Sequence, residues 1–440
     1  MIFGPKFDEG LRLIREALVE AQVAGRPPVD AATMRAELEE LATLRGRPPF
    51  FPYLGAGLGR GARAMLADGR WVIDLALGIG VHLFGHGDLD LLETAIRAAA
   101  SDLVMQGHLV FNREYHALMK TLLALAPRGM ERCWLSLSGA DANENALKLV
   151  RQKCAGRPGV IAFRGCFHGR TTAMAEITDR PDYRLGQPQT FPVAYLPFYE
   201  RNQRGSIATT LAALREIIAR DGDHIAALMV ELVQGEAGFV TAPREFFVPL
   251  FDECRRAGII IWIDEVQTFA RTGELFATTR LGLEEYADVI TIGKVFQGSA
   301  LLHRAPLAPD PSLISGTYAG ATVPMAVAGR MIERLTTGTI FGPEGREMQL
   351  ERLARAHLAR LATARPGMIS AVDGVGAMIA FRVGDGGLAP TREFIRRCFA
   401  AGLVLYYGGH QPACVRLFLP AAVITDEELA EAFAIIESCL

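Results

Sequence analysis

Between about residue 88 and residue 300 the chain alternates two hydrophobic rhythms. LDLLETAIRAAASD, REYHALMKTLLALAP, ADANENALKLVRQKC, TTLAALREIIARD and PREFFVPLFDECRRAG repeat apolar residues at the spacing of one helical face. Between them stand short apolar runs, RCWLSLS, GVIAF, HIAALMVELV, GIIIWIDEV and ADVITIGK, which read as buried strands. The alternation predicts an α/β fold with a mostly parallel sheet covered by helices. Residues 1 to about 50 predict two helices, FDEGLRLIREALVEAQ and DAATMRAELEELATLR, parted by the breaker GRPPVD. Beyond about 325 the texture shifts to two long helices, then GVGAMIAFRV, another helix, LVLYY, CVRLFLP and a last helix from Thr425. That is the pattern of a smaller α+β domain. The expected division is 1–70 for N-terminal helices and strands joining the small domain, 71–325 for the large domain and 326–440 for the C-terminal small domain.

Composition narrows the class. Of 440 residues, 50% are hydrophobic and 22% charged, with a formal net charge of −3, the profile of a globular protein without the basic clusters that nucleic acid requires. The 7 cysteines are scattered and never spaced as CxxC, which favours reduced thiols in a cytoplasm over disulfides or a zinc site. The first residues lack a signal peptide's apolar core, and no window approaches a membrane span. The glycines of GAGLGRG carry no GxGxxG between a strand and a helix, so turns are their expected use.

Five stretches carry chemistry. GIIIWIDEV ends in Asp264 and Glu265, and ADVITIGK ends in Lys294. If both strands are parallel members of one sheet, an acid and an amine share the edge where such sheets hold ligands; otherwise the charges are solvated strand ends. In LSLSGADANENALKL a strand runs through Ser136 to Ser138 and a helix begins near Ala140 or Asp141, giving either an anion site or an ordinary cap at Ser138. FRGCFHGRTTA holds Phe167 and His168 on a loop after GVIAF, where an aromatic can stack on a flat heterocycle or simply fill the core. ALMVELVQGEAGFV ends a strand at Glu231 and carries Gln234 and Glu236 into a Gly-rich loop.

Taken together, SGADANENALKL, FHGRT, VQGEAG, WIDEVQTFARTG, ITIGK and VRLFLPAAVITDEEL resemble, in order, the motifs of the class III pyridoxal-phosphate-dependent aminotransferases, the ornithine, acetylornithine and 4-aminobutyrate subgroup. The resemblance covers roughly 70 to 435. It implies the PLP-dependent transferase fold, with an aspartate aminotransferase-like large domain, and pyridoxal 5'-phosphate as cofactor. By position, it implies that Lys294 forms the Schiff base and that Asp264 pairs with the pyridinium nitrogen. Gln267 is implied to contact the phenolic oxygen, Gly139, Ala140 and Ser138 to seat the phosphate, and Phe167 and His168 to hold the ring. SGTYAG resembles the segment whose threonine, here Thr317, reaches the neighbouring subunit's cofactor, so a homodimer with shared active sites is expected, with the N-terminal residues at its interface. Arg416 matches the substrate carboxylate's arginine, and Glu236 the glutamate that neutralises it while an ω-amine is bound. The implied reaction moves an amino group from an ω-amino or diamino acid, of the ornithine, acetylornithine, lysine or 4-aminobutyrate type, to a ketoacid, with 2-oxoglutarate expected. An aminomutase, lyase or decarboxylase on the same fold is the alternative, as is a non-catalytic homologue, against which Lys294 with Asp264 argues.

The departures from the family pattern border the substrate pocket. Glu231 is followed by Leu232 where proline is usual, the run before ARTG is one residue short of the expected glycine, VFQGSALL follows Lys294, GATVPM stands for a GNP-type turn, and LFLPAAVIT replaces a double proline. Strand alternation turns Glu265 away from the side taken by Asp264, which makes Glu265 a structural carboxylate.

Overall fold

The strand Ile260–Glu265 has Ile261, Trp262 and Ile263 fully buried, so both its faces need cover and it belongs in the middle of a sheet. The structure, a computed structural model describing residues 3–102 and 109–440, has it there. Seven strands pair in the order Arg132–Ser136, Ser299–His303, Val289–Ile292, Ile260–Glu265, Ile225–Val230, Gly159–Phe163 and Val193–Leu196. The last five are mutually parallel, while Ser299–His303 runs antiparallel to both its neighbours. The architecture is the expected α/β class.

Two of these strands fall outside the runs read from the sequence. Val193–Leu196 is short, only Leu196 in it is buried, and prolines stand on either side. Ser299–His303 follows soon after Lys294, and all five of its residues are buried. Helix Gly139–Lys153 covers one face of the sheet, where Ala146, Leu147, Leu149 and Val150 join a core with Val160, Ala162, Met229, Trp262 and Leu301. Its apolar positions recur at helical spacing, and its polar ones include Asn143, which is buried at the sheet edge.

Packing divides the chain into two units. Residues 102–348 with 373–376 form the larger one, and 1–101, 349–372 and 377–440 the smaller. These limits differ from the expected boundaries at 71 and 326. Strand Trp71–Asp74 pairs with Arg63–Leu66 and Leu403–Val404, so it goes with the smaller unit, whereas helix Thr322–Thr337 packs on Arg113–Leu125 in the larger. A further sheet runs in the order Ile369–Val375, Met378–Val383, Ala413–Phe418 and Tyr406–Gly409, its last three strands within the smaller unit. The last helix, Asp426–Cys439, opens on a capping box between Thr425 and Glu428. Among the described residues, no helix is long and apolar enough to cross a membrane.

Within the larger unit the ARTG turn is anchored by charge. Arg271 and Glu347 are both fully buried, and Glu347 Oε2 accepts the Gly273 N–H at 2.7 Å. Burial pulls the Arg271 pKa down and pushes the Glu347 pKa up, and the Coulomb attraction of each for the other opposes both shifts. Removing one member of such a pair strands a buried charge. Glu347→Ala is therefore expected to destabilise the protein by about 3–5 kcal/mol, measured by urea unfolding followed through tryptophan fluorescence.

Candidate active site

Register brings Asp264 and Lys294 to one edge of the large sheet. Asp264 lies opposite Thr291 and Glu265 opposite Ile292, and Lys294 follows just past the end of that neighbouring strand. Lys294 heads a tight turn at φ 55°, half-exposed. A non-glycine residue in the left-handed region stores on the order of 1 kcal/mol of strain, tolerated where the surroundings dictate its direction.

Asp264 is 4% exposed and heavily bonded. Oδ2 accepts from His168 Nδ1 at 2.7 Å and from Asn143 Nδ2 at 2.9 Å, and Oδ1 accepts the Val266 N–H at 2.9 Å. Asn143 also donates to the His168 carbonyl at 2.8 Å, so one amide ties the helix to the loop and the loop to the strand. Burial works against charge on His168, but the Cys166 sulfur beside it and the Asp264 carboxylate raise its pKa well above the ordinary value. Glu265 faces the other way, as alternation requires. It accepts from Ala277 N at 2.7 Å, Thr278 N at 2.8 Å and the hydroxyls of Thr278 and Thr268, which accounts for it structurally.

Two close approaches hold the neighbouring segments against this strand end. A Cβ on Gly139 would stand 2.4 Å from Val266 Cγ1, so Val266 or the helix start would have to shift, and one on Gly235 would stand 2.0 Å from Gln267 Oε1, so the end of the Gln267 side chain would have to move. The first presses the start of helix Gly139–Lys153 onto Val266, and the second presses the VQGEAG loop onto Gln267. The helix begins at Gly139, a residue earlier than the sequence suggests, because the preceding strand ends at Ser136 and Ser138 is the cap, its Oγ accepting the Asp141 N–H at 3.2 Å. Capping is thus a real use of Ser138. It leaves the Gly139 and Ala140 amides as first-turn N–H groups with no carbonyl one turn back. The Asp141 carboxylate is turned away to the Leu137 N–H at 3.0 Å.

Phe167 is half-exposed, with its ring edge-on to Tyr183 at 6.0 Å between centroids. Its N–H donates to Glu231 Oε2 at 3.0 Å. The structure therefore gathers Asp264, His168, Gln267, Phe167, Gly139, Ala140, Ser138 and Lys294 around one sheet edge. Glu236 is half-exposed on the VQGEAG loop. Thr317 is exposed, and no contact ties it to this cluster among the described residues. Arg416 belongs to the smaller unit, fully buried on strand Ala413–Phe418, with Nη2 donating to the Tyr407 carbonyl at 2.9 Å and Cζ 5.6 Å from the Phe418 ring centre. Among the described residues, no group of His, Cys, Asp and Glu could hold a metal ion.

Comparison with known proteins agrees with this geometry. A family model described as aminotransferase class-III matches residues 53–440. The chain belongs to the class-III aminotransferase family. It is similar to a 2-aminoadipate transaminase of Pseudomonas putida, 33% identical over 405 residues that cover 87% of this chain and 94% of that protein. It is also 33% identical over 400 residues to a 4-aminobutyrate aminotransferase of Mycobacterium leprae, covering 85% and 87% of the two. Its fold matches a Bacillus anthracis aminotransferase with a TM-score of 0.84 at 18% identity, covering 93% and 99% of the two chains. A lysine aminotransferase of M. tuberculosis matches with a TM-score of 0.78 at 23% identity, covering 87% and 93%. This aminotransferase is a pyridoxal-phosphate-dependent transaminase acting between amino and keto acids.

The residues present suit that cofactor. His168 Nε2, Asn143 Oδ1 and Gln267 Oε1 are buried without a hydrogen-bond partner among the described residues. Asp264 takes two donors on Oδ2 and one on Oδ1, against about four lone-pair sites on a carboxylate. Buried polar atoms in folded proteins are rarely left unpaired, and a ring offering a protonated nitrogen and a phenolic oxygen supplies complementary partners.

Sequence reasoning missed Asn143, Val266 and the full part of Glu231. The signals were present in ADANEN, WIDEVQ and MVELVQ, but nothing in the spacing says that Asn143 meets Asp264 or that Val266 meets Gly139. Gly139→Ala is expected to leave the protein folded and to lower cofactor retention at least tenfold, since Val266 or the helix start has to move. Dialysis of the purified holoenzyme followed by absorbance at visible wavelengths reads this directly.

Proposed function

We propose that this aminotransferase moves an amino group from an ω-amino or α,ω-diamino acid to a ketoacid, with 2-oxoglutarate as the acceptor. Relatives named for 4-aminobutyrate, acetylornithine and 5-aminovalerate support a donor whose terminal amine is held apart from a carboxylate by a short chain, while 2-aminoadipate, for which another is named, carries its amine next to a carboxylate. The observation that carries the residue assignment is the shared sheet edge of Asp264 and Lys294.

When bound, the cofactor supplies an electron sink for the negative charge that develops at the donor's amine-bearing carbon. The chain's own residues do the rest. Asp264, already met by three donors, would accept a hydrogen bond from the cofactor's ring nitrogen. Asn143 and His168 keep the carboxylate facing that nitrogen. Phe167 and Val266, both half-exposed apolar side chains on this edge, are the surfaces for the two ring faces. The Gly139 and Ala140 amides, with Ser138 beside them, receive the phosphate at the start of a 15-residue helix. Gln267 meets the phenolic oxygen. Lys294 would hold the cofactor, and its Nζ would be the group that takes the proton from the donor's amine-bearing carbon and returns it. Arg416 grips the carboxylate of the ketoacid through its planar fork, and Glu236 neutralises that charge while the ω-amine is bound.

Thr317, exposed in the single chain, fits a role in the neighbouring subunit's phosphate seat, so the working form is read as a homodimer with shared sites. Seven cysteines with no disulfide among them suit a cytoplasmic location.

Lys294→Ala is expected to abolish the visible absorbance of the lysine-bound cofactor and to lower turnover by at least a thousandfold; an unchanged spectrum removes Lys294 from this role. Arg416→Ala is expected to slow the half-reaction with 2-oxoglutarate about a hundredfold, consistent with loss of a buried charged hydrogen bond of about 3 kcal/mol. A panel of terminal amines and α-amino acids, scored by conversion of the holoenzyme spectrum, identifies the donor. Failure of every ω-amine in that panel overturns the donor class.

A further inference from the structure

Glu231 is the first residue beyond strand Ile225–Val230 and is 6% exposed. Its two carboxylate oxygens go separate ways. Oε2 accepts the N–H of Phe167 and Oε1 the N–H of Gly235, each at 3.0 Å. Phe167 lies on the loop after Gly159–Phe163, and Gly235 begins the turn that carries Glu236. A second bond, Gln234 Nε2 to the Arg164 carbonyl at 2.8 Å, joins the same two loops. Gly235 in turn packs against the amide of Gln267, which an added Cβ would displace. One carboxylate thus couples the ring-facing aromatic, the Glu236 turn and, through Gly235, the Gln267 segment.

We propose that Glu231 is a positioning residue for the reaction: by accepting one amide on each oxygen, its carboxylate holds Phe167 and the Glu236 turn as one unit, and so sets cofactor affinity and acceptor recognition together. This deepens the reading above and rests on its roles for Phe167 and Glu236. The ionised carboxyl accepts from both amides at full strength, whereas protonation makes one oxygen a hydroxyl, a weaker acceptor whose proton has to avoid the facing N–H. Burial raises the Glu231 pKa to about 7; His168 opposes the rise, the Asp264 carboxylate adds to it, and the two amide bonds oppose it. His168, on the Phe167 loop, and Asp264, on the adjacent strand, are the charged groups that face it. The clamp is therefore closed above that pH and loosened below it. Because the folded-state pKa is raised above the ordinary value, holding this charge lowers stability as pH rises through it. Glu231 is a site where stability is given up for position.

The test compares full-length wild type with Glu231→Gln, in which an NH2 group faces one of the two amides. Cofactor dissociation constants are measured by dialysis of the holoenzymes at several pH values, and the KM for 2-oxoglutarate is measured at saturating cofactor. The expected result is about tenfold weaker cofactor binding by the variant at pH 8, and a KM raised about fivefold. The ratio of the two dissociation constants should shrink toward one at pH 6, where protonation does to wild type what glutamine does to the variant. A ratio that stays constant with pH, or a variant equal to wild type throughout, overturns the clamp. If Glu231→Gln does not fold, Glu231→Asp carries the same comparison: it keeps the charge but reaches one amide, and wild-type affinity at pH 8 overturns the proposal. Wild type that retains no pyridoxal phosphate overturns the cofactor roles proposed above and this clamp with them, an outcome distinct from failure of the clamp alone.

Discussion

A single buried carboxylate organises this site. Asp264 is 4% exposed, and three donors converge on its carboxyl oxygens, from a helix, a loop and the turn that follows its own strand. An ionised group away from water without such partners would be neutralised or expelled. Satisfying it therefore determines where the Gly139–Lys153 helix starts, how the His168 loop folds back and why Val266 turns as it does. The segments that bond Asp264 are the same ones that present the Gly139 and Ala140 amides and the Phe167 ring. The chemistry of the site and the architecture of the sheet edge are one constraint.

Three carboxylates end strands here, and their environments separate their tasks. Glu265, on the far face, is used up by two amides and two hydroxyls at the start of a short helical turn. Asp264 keeps acceptor capacity facing the site. Glu231 spans two loops and carries a pKa lifted by burial. Residue type alone does not distinguish them. What distinguishes them is the number and origin of the N–H groups each one meets.

Much of this was legible beforehand, and for a physical reason. Strands buried on both faces cannot hide their apolar runs, so Ile225–Val230, Ile260–Glu265 and Val289–Ile292 announce themselves, and the charged residue ending each run is conspicuous. Alternation with period two gave Glu265 the opposite face from Asp264, and its bonds to Ala277 and Thr278 lie there. The strand Ser299–His303 was illegible because it is only five residues long and follows at once on a turn with positive φ at both Lys294 and Gln297. Trp71–Asp74 joined the smaller unit for a similar reason: one of its strand partners, Leu403–Val404, lies more than three hundred residues away in the chain.

The sequence by itself determined the class of fold, the order of the motifs and the residue types available at the sheet edge, because these depend on local periodicity and on which side chains can end a buried strand. Only the tertiary structure decided which donor meets which oxygen. Asn143 and Asp264 are separated by 121 residues and Phe167 and Glu231 by 64, and hydrogen bonds over such distances leave no trace in local spacing. Asn143 looked like one more polar residue on a helix, and Glu231 like the end of a strand. Each acquired its part when the parallel sheet brought their partners to the same edge.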